Sequence, residues 1–80
     1  MDKVNISKIE QHIIDFVIKL RSDKNLKQED IATILNVSRV FITNIKNPDN
    51  RAKYNIDHIN LLADHFGMSP QDFLPEKPIL

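Results

Sequence analysis

The stretch "LKQEDIATILNVSRVFITNIKNPDN", residues 26 to 50, contains two short helical patterns separated by three residues. Acidic Glu29 and Asp30 open the first pattern, where negative charge stabilises the positive end of a helix dipole. Ser38 is a good N-cap for the second pattern, at about 38–47. The positions predicted to face inward are Ile31, Ala32, Leu35, Val37, Ile42 and Ile45. The stretch therefore predicts two packed helices joined by a tight turn, the second with its other side in solvent.

Three further helices are predicted around this stretch. Their boundary signals are Ser7, Glu10 and Asn25 for the first, Asn55 and Gly67 for a fourth over 56–66, and Ser69, Pro70, Asp72 and Pro75 for a brief fifth. Their inward positions are Ile9, Ile13, Phe16, Val17 and Leu20, widened by Ile14 and Ile18, then Ile56, Ile59, Leu62, Ala63 and Phe66. Pro48 should end the third helix. No convincing strand alternation occurs, so the predicted fold class is all-α.

Size and composition restrict what the chain can be. Its 80 residues suffice for a single domain, 1–80, with one modest core and too little chain for an elaborate catalytic cleft. The absence of cysteine excludes disulfides and thiolate metal sites and is compatible with a cytoplasmic location. The N-terminus resembles neither a signal peptide nor a membrane span, because charges interrupt its apolar positions.

Charge is distributed unevenly, although the formal net charge is zero. Residues 39–53 contain four cations and one anion, whereas residues 55–80 contain four anions and one cation. A neutral total argues against a nucleic-acid binder, because phosphate neutralisation needs a basic surface. The uneven distribution nevertheless provides a basic segment that could orient the molecule in a phosphate field.

The stretch at 26–50, followed by "INLLADHFGMSPQDFL", resembles the Cro/C1-type (XRE) helix-turn-helix family. The resemblance covers about residues 21–74 and leaves 75–80 as a tail. It implies a compact five-helix, lambda-repressor-like domain that reads the DNA major groove with the helix at about 38–47. It also implies a transcriptional regulator, more readily a repressor, that binds double-stranded DNA as a homodimer and needs no cofactor or small-molecule ligand.

Roles for individual residues follow from the same resemblance. The base-contacting positions would be Arg39, Val40, Thr43 and Asn44, whose side chains suit guanine, thymine methyl and adenine edges. Positions that contact the DNA backbone or support the reading helix would be Gln28, Ser38, Phe41, Lys46, Asn47, Arg51 and Lys53. Several alternatives stay open: Arg39 could bend to a phosphate, Arg51 and Lys53 could be merely solvated, and Phe41 could contact DNA or fold back beneath Gln28. Apolar candidates for the dimer surface are Met68, Phe73, Leu74 and Ile79.

Three positions depart from the family pattern. Asparagine replaces the usual glycine at Asn25 and Asn36, and asparagine tolerates positive φ next best. Lys46 stands where the family usually has a glutamate that pairs with the position of Arg21. Two cations cannot form that pair, so Arg21 needs another acceptor or both side chains must turn outward.

Two other classes of function compete with this interpretation. Histidines His12, His58 and His65 could belong to an enzyme, but His58 and His65 are two helical turns apart and no metal-binding motif is present. The same fold could instead serve as a protein-interaction or antitoxin-like module that uses Val40 and Phe41 as apolar anchors. DNA binding should weaken steeply with salt, whereas an apolar interface should respond little.

Overall fold

A computed structural model describes residues 6–47 and 49–80. These residues form four α-helices and one short 3-10 helix, and no strand occurs among them. The elements are α1 (Lys8–Asp23), α2 (Gln28–Leu35), α3 (Arg39–Ile45), α4 (Ile56–Phe66) and a 3-10 helix (Pro70–Phe73). The predicted all-α class is confirmed. Pro48, predicted to end α3, lies outside the described residues.

The predicted fifth helix is a 3-10 turn rather than an α-helix. Ser69 caps it and Pro70 opens it as expected. Leu74 already has extended backbone, with φ −109° and ψ 151°, and precedes Pro75. Only four residues are available, so the bonds close over three residues, as in the Leu74 N–H donated to the Gln71 carbonyl at 3.1 Å.

Local signals place most helix ends. Ser7 and Glu10 form a reciprocal capping box on α1, and the Ser38 hydroxyl accepts the Phe41 N–H at 3.0 Å on α3. Asn25 and Asn36 both have φ 57°, so asparagine takes the left-handed turns as predicted. The third helix is shorter than predicted, because Lys46 already serves as its C-cap.

One core holds the helices together. Its buried members are Ile13, Ile14, Val17, Leu20, Ile31, Ala32, Leu35, Ile42, Ile45, Ile59, Leu62, Ala63 and Phe73. Two predicted inward positions are wrong: Ile9 is 37% exposed and Ile56 is 73% exposed. Both lie in the first turn of their helix, where no preceding turn covers the side chain.

The prediction that Phe73 belongs to a dimer surface is also wrong, because Phe73 is a central core residue. Its side chain is fully buried, and its ring meets the Phe16 ring edge-on with centroids 4.8 Å apart. The tight 3-10 turn directs this ring inward and thereby attaches the C-terminal segment to α1. Met68 packs on the core and is half-buried, Ile79 is also half-buried, and Leu74 is the exposed member of the candidate set.

None of the helices formed by residues 6–47 and 49–80 has the length and apolar character needed to cross a membrane.

Candidate nucleic-acid interface

The outer face of α3 carries the polar side chains of Arg39 and Thr43 together with the exposed apolar side chain of Val40. Ile42 and Ile45 are buried and hold the helix against the core, while Arg39, Val40 and Thr43 point to solvent. Val40 is 65% exposed, so its methyl groups are available to a partner on this face. Asn44 is half-buried at the edge of this face. The four predicted base-contacting residues therefore lie on one short helix, and three of them are exposed.

A side-chain contact joins α2 to α3. The Thr43 hydroxyl oxygen lies 3.3 Å from the Gln28 amide oxygen and 3.1 Å from the Arg39 carbonyl. A hydroxyl has one hydrogen, so it can donate fully to only one of these acceptors at a time. Gln28 is half-buried at the first position of α2 and touches the outer face of α3 across the turn. This contact supports the predicted buttressing part of the Gln28 role.

A cleft of about 230 Å³ lies beside Gln28 at the start of α2. Its lining side chains are Arg21, Lys27, Gln28, Glu29 and Arg39. Three of the five are cationic and one is anionic, so the cleft offers a net positive charge next to the backbone N–H groups of the α2 N-terminus. An anion entering here would meet Arg39 of α3 and Gln28 of α2 together.

Phe41 packs toward α4, and its contact with DNA stays a prediction. Its ring is half-buried and meets the His58 imidazole of α4 edge-on, with centroids 5.5 Å apart. The Tyr54 ring also approaches His58 edge-on, at 6.1 Å. Phe41 thus anchors the N-terminal turn of α3 to the start of α4, by a contact 17 residues away in sequence.

His58 is a supporting residue that sequence reasoning missed. Its Nδ1 accepts the Asn55 backbone N–H at 3.1 Å, while the Asn55 side-chain oxygen accepts the His58 N–H at 2.8 Å. Burial lowers the pKa of His58, and nearby Asp57 raises it by a smaller amount. The three-residue spacing of Asn55 and His58 was the available signal, although a capping box ordinarily uses Glu or Gln. Burial also raises the pKa of Tyr54 to about 12.

The loop between α3 and α4 is ordered by its own side chains. The Asn47 and Asn50 side-chain oxygens accept backbone N–H groups two residues ahead, each at 2.9 Å. Lys53 extends from this loop to α1, where its ammonium lies 2.6 Å from the Glu10 carboxylate. Hydrogen bonding to Lys53 is the largest cause that lowers the pKa of Glu10. Arg51 is exposed in the same loop.

Arg21 and Lys46 are accommodated separately. The Arg21 guanidinium donates to the Leu26 carbonyl at 3.2 Å, in the turn between α1 and α2. Lys46 is exposed at the end of α3. Arg21 therefore has another acceptor, which is the first of the two predicted alternatives, and the two cations need not share a buried site.

Among residues 6–47 and 49–80, no three His, Asp or Glu side chains come close enough together to hold a metal ion.

The comparison with protein families agrees with this geometry. The family model of the Cro/C1-type helix-turn-helix DNA-binding domain matches residues 17–75, more than two thirds of the 80-residue chain. Neither the curated proteins nor the solved structures contain a significant match to the chain. The match spans the second part of α1, both helices of the turn motif, α4 and the 3-10 helix. The chain therefore belongs to the Cro/C1-type helix-turn-helix DNA-binding domain family.

Proposed function

We propose that the protein is a sequence-specific transcriptional regulator that reads the DNA major groove with the outer face of α3. The observation that carries this proposal is the accessibility of Arg39, Val40 and Thr43 on a helix whose opposite face is buried. Arg39 can donate both arms of its guanidinium to guanine O6 and N7, and Asn44 can pair with adenine. Exposed Val40 suits a thymine methyl group. Each side chain thus has a base edge that it would recognise.

Contacts with phosphates would come from residues around α3. Gln28 stands at the α2 N-terminus, where backbone N–H groups and the helix dipole favour an anion. Arg51 and Lys53 lie in the loop after α3, and Lys46 and Asn47 lie at its C-terminal end. Such contacts strengthen binding to every sequence equally. Gln28→Ala should therefore weaken binding to operator and random duplexes alike.

The regulator would act as a homodimer on an inverted repeat. One helix of seven residues offers few base contacts, and two copies would read half-sites about one helical turn apart, roughly 34 Å. Exposed Leu74 and half-buried Ile79 are the candidate apolar contacts near the C-terminal end. Repression in the cytoplasm is the simplest mode, because occupying a promoter requires no further surface. Selected sites without an inverted repeat, bound by one copy per duplex, would contradict this assembly.

A second candidate function is a protein-interaction module on the same face. The large exposure of Val40 favours it too, because an exposed apolar side chain suits a protein partner as well as a thymine methyl. Net charge zero is compatible with either partner.

Selection of bound duplexes from a random pool tests the proposed function. The expected result is one enriched inverted repeat, with an affinity that falls linearly on a logarithmic salt scale. Folded Val40→Asp, which introduces negative charge on the reading face, is the matched loss-of-function control. Recovery of no enriched sequence, with salt-insensitive capture of a protein partner through Val40, would favour the interaction module instead.

A further inference from the structure

Glu10 connects the start of α1 to the loop that follows α3. One carboxylate oxygen accepts the Ser7 backbone N–H at 3.0 Å, and the other lies 2.6 Å from the Lys53 ammonium. The Ser7 hydroxyl accepts the Glu10 backbone N–H at 3.2 Å, which completes the capping box that holds the Glu10 side chain. Glu10 therefore presents its second oxygen to Lys53 from a fixed position.

The two cations of the loop differ in their surroundings. Arg51 is exposed, with no carboxylate within ion-pair distance among the described residues. Lys53 forms the one ion pair found within residues 6–47 and 49–80. Lys53 can reach a DNA phosphate only if its ammonium leaves the Glu10 carboxylate or shares its hydrogen bonds with it. Glu10 lies before the residues that match the family model, 17–75, whereas Lys53 lies among them.

We propose that Glu10 is a positioning residue that holds the Lys53 ammonium back from the DNA backbone and so lowers sequence-independent affinity. This inference rests on the proposed function. A lysine that reaches a phosphate releases counterions and increases affinity for every duplex. Glu10 opposes that gain on every duplex while leaving the base contacts of α3 unchanged, so it lowers operator and random affinity by the same factor. Its carboxylate acts as an intramolecular competitor of phosphate.

The substitution Glu10→Gln removes the competitor and keeps the helix cap. Glutamine at this position still accepts the Ser7 N–H, as in capping boxes generally. The expected result is about a twofold to fivefold gain in affinity for a random duplex, the range set by an exposed ion pair. The logarithmic salt slope should steepen by up to about one unit, because one more phosphate is neutralised. Loss of a merely structural residue would not steepen that slope.

A double-mutant cycle separates the ion pair from a general charge effect. The four proteins are the wild type, Glu10→Gln, Lys53→Met and the double variant. The gain from Glu10→Gln should vanish in the Lys53→Met background, because no ammonium remains to be released. Asp15→Asn is the matched control: it removes one negative charge from α1 at an exposed carboxylate that accepts a hydrogen bond from Gln11. Asp15→Asn should change binding less than Glu10→Gln does.

The outcomes distinguish this inference from the function on which it rests. Equal gains from Glu10→Gln with and without Lys53, or an equal gain from Asp15→Asn, would overturn the inference and leave DNA binding intact. A loss of affinity in Glu10→Gln would also overturn it, by showing that Glu10 helps Lys53 to bind. If all four proteins are folded by circular dichroism and none binds a duplex, the proposed function is overturned together with the inference.

Discussion

The two helices of the turn motif, α2 and α3, bury similar inner faces but begin in opposite ways. Each is short, with eight and seven residues, and each is held down by fully buried isoleucine. The first turn of α2 contains Glu29 and Asp30, and Asp30 accepts the Lys27 N–H at 2.8 Å. The first turn of α3 has no acid and begins with Arg39. The packing is thus alike and the electrostatics are reversed.

The difference indicates which helix end is electrostatically suited to an anionic partner. A cation at the positive end of a helix dipole is unfavourable, and an anion there is worth about 0.3–1 kcal/mol. At the position where Glu10 completes the box on α1, α3 has Phe41, so the Ser38 cap receives no reciprocal carboxylate. The N-terminus of α3 is therefore less stable than that of α2 by itself, but it repels no phosphate. DNA would supply the missing negative charge.

The largest expected effect tests the shared part of the comparison, the buried inner faces. Ile31→Ala in α2 and Ile45→Ala in α3 should each lower the free energy of unfolding by about 2–5 kcal/mol, because each leaves a cavity in a closed core. Urea unfolding measures both. Val40→Ala on the outer face should change the free energy by no more than about 0.5 kcal/mol. A cost below 1 kcal/mol for Ile45→Ala would show that α3 is only loosely packed.

The next effect reverses the electrostatic difference directly. Arg39→Glu should raise the free energy of unfolding by about 0.3–1 kcal/mol, because an acid then occupies the first turn of α3. The same change should weaken duplex binding on the order of 100-fold, since it removes a guanine partner and adds a repulsive charge. The matched variant in α2, Glu29→Gln, should lower stability instead. An Arg39→Glu protein that is less stable than the wild type would contradict the dipole argument.

A smaller effect concerns the bond between the two helices. Thr43→Val keeps the side-chain shape and removes the hydroxyl that contacts Gln28. It should lower the free energy of unfolding by at most about 0.5–1.5 kcal/mol. If the contact also aligns α3, Gln28→Ala should cost less operator affinity in the Thr43→Val background than in the wild type, and the loss that remains is that of the phosphate contact. Fully additive losses in binding titrations would show that Gln28 acts on phosphate alone.

The smallest expected effect is a pH dependence of the free energy of unfolding, caused by His58 at the start of α4. His58 contacts Phe41, which occupies the position in the first turn of α3 where α1 has an acid. Burial lowers the pKa of His58 below its ordinary value of 6.5, so the folded protein resists its protonation. The unfolded chain binds that proton more readily, and stability is therefore complete above about pH 6.5 and declines as the pH falls through the lowered folded pKa. Protonation at Nδ1 would also displace the Asn55 N–H.

His58→Gln provides the control, because glutamine can complete the capping box and does not titrate. Urea unfolding at several pH values should show a shallower decline for this variant between neutral pH and pH 5. Identical pH profiles for the variant and the wild type would assign the decline to other groups.

Local features of the sequence predicted most of the fold. Ser7, Ser38 and Asn55 act within three residues of themselves, so their caps could be located from spacing alone. The left-handed turns at Asn25 and Asn36 follow from what asparagine tolerates. The burial of Phe73 was predicted wrongly, because it depends on neighbours that are distant in the sequence.

The contacts of the site illustrate that limit. The amphipathic pattern identified which face of α3 is exposed to solvent, because the isoleucines on the opposite face pack against the core. It could not reveal that Phe41 meets His58, that Arg21 meets the Leu26 carbonyl or that Lys53 meets Glu10. The first and last of these contacts join separate helices or loops, and their geometry depends on the packed core rather than on local spacing. Phe73 was misassigned for the same reason, since only the closed fold places it beside Phe16.

The central claim is that α3 reads bases through the first residue after its cap. It is tested most directly by measuring the affinities of the wild type and Arg39→Ala for a selected operator and for the same duplex with its sequence scrambled. We predict that the variant loses about tenfold to hundredfold on the operator, the value of one bidentate pair with guanine, and little on the scrambled duplex. Equal losses on both duplexes, with a salt slope about one unit smaller, would contradict the claim and make Arg39 a phosphate contact.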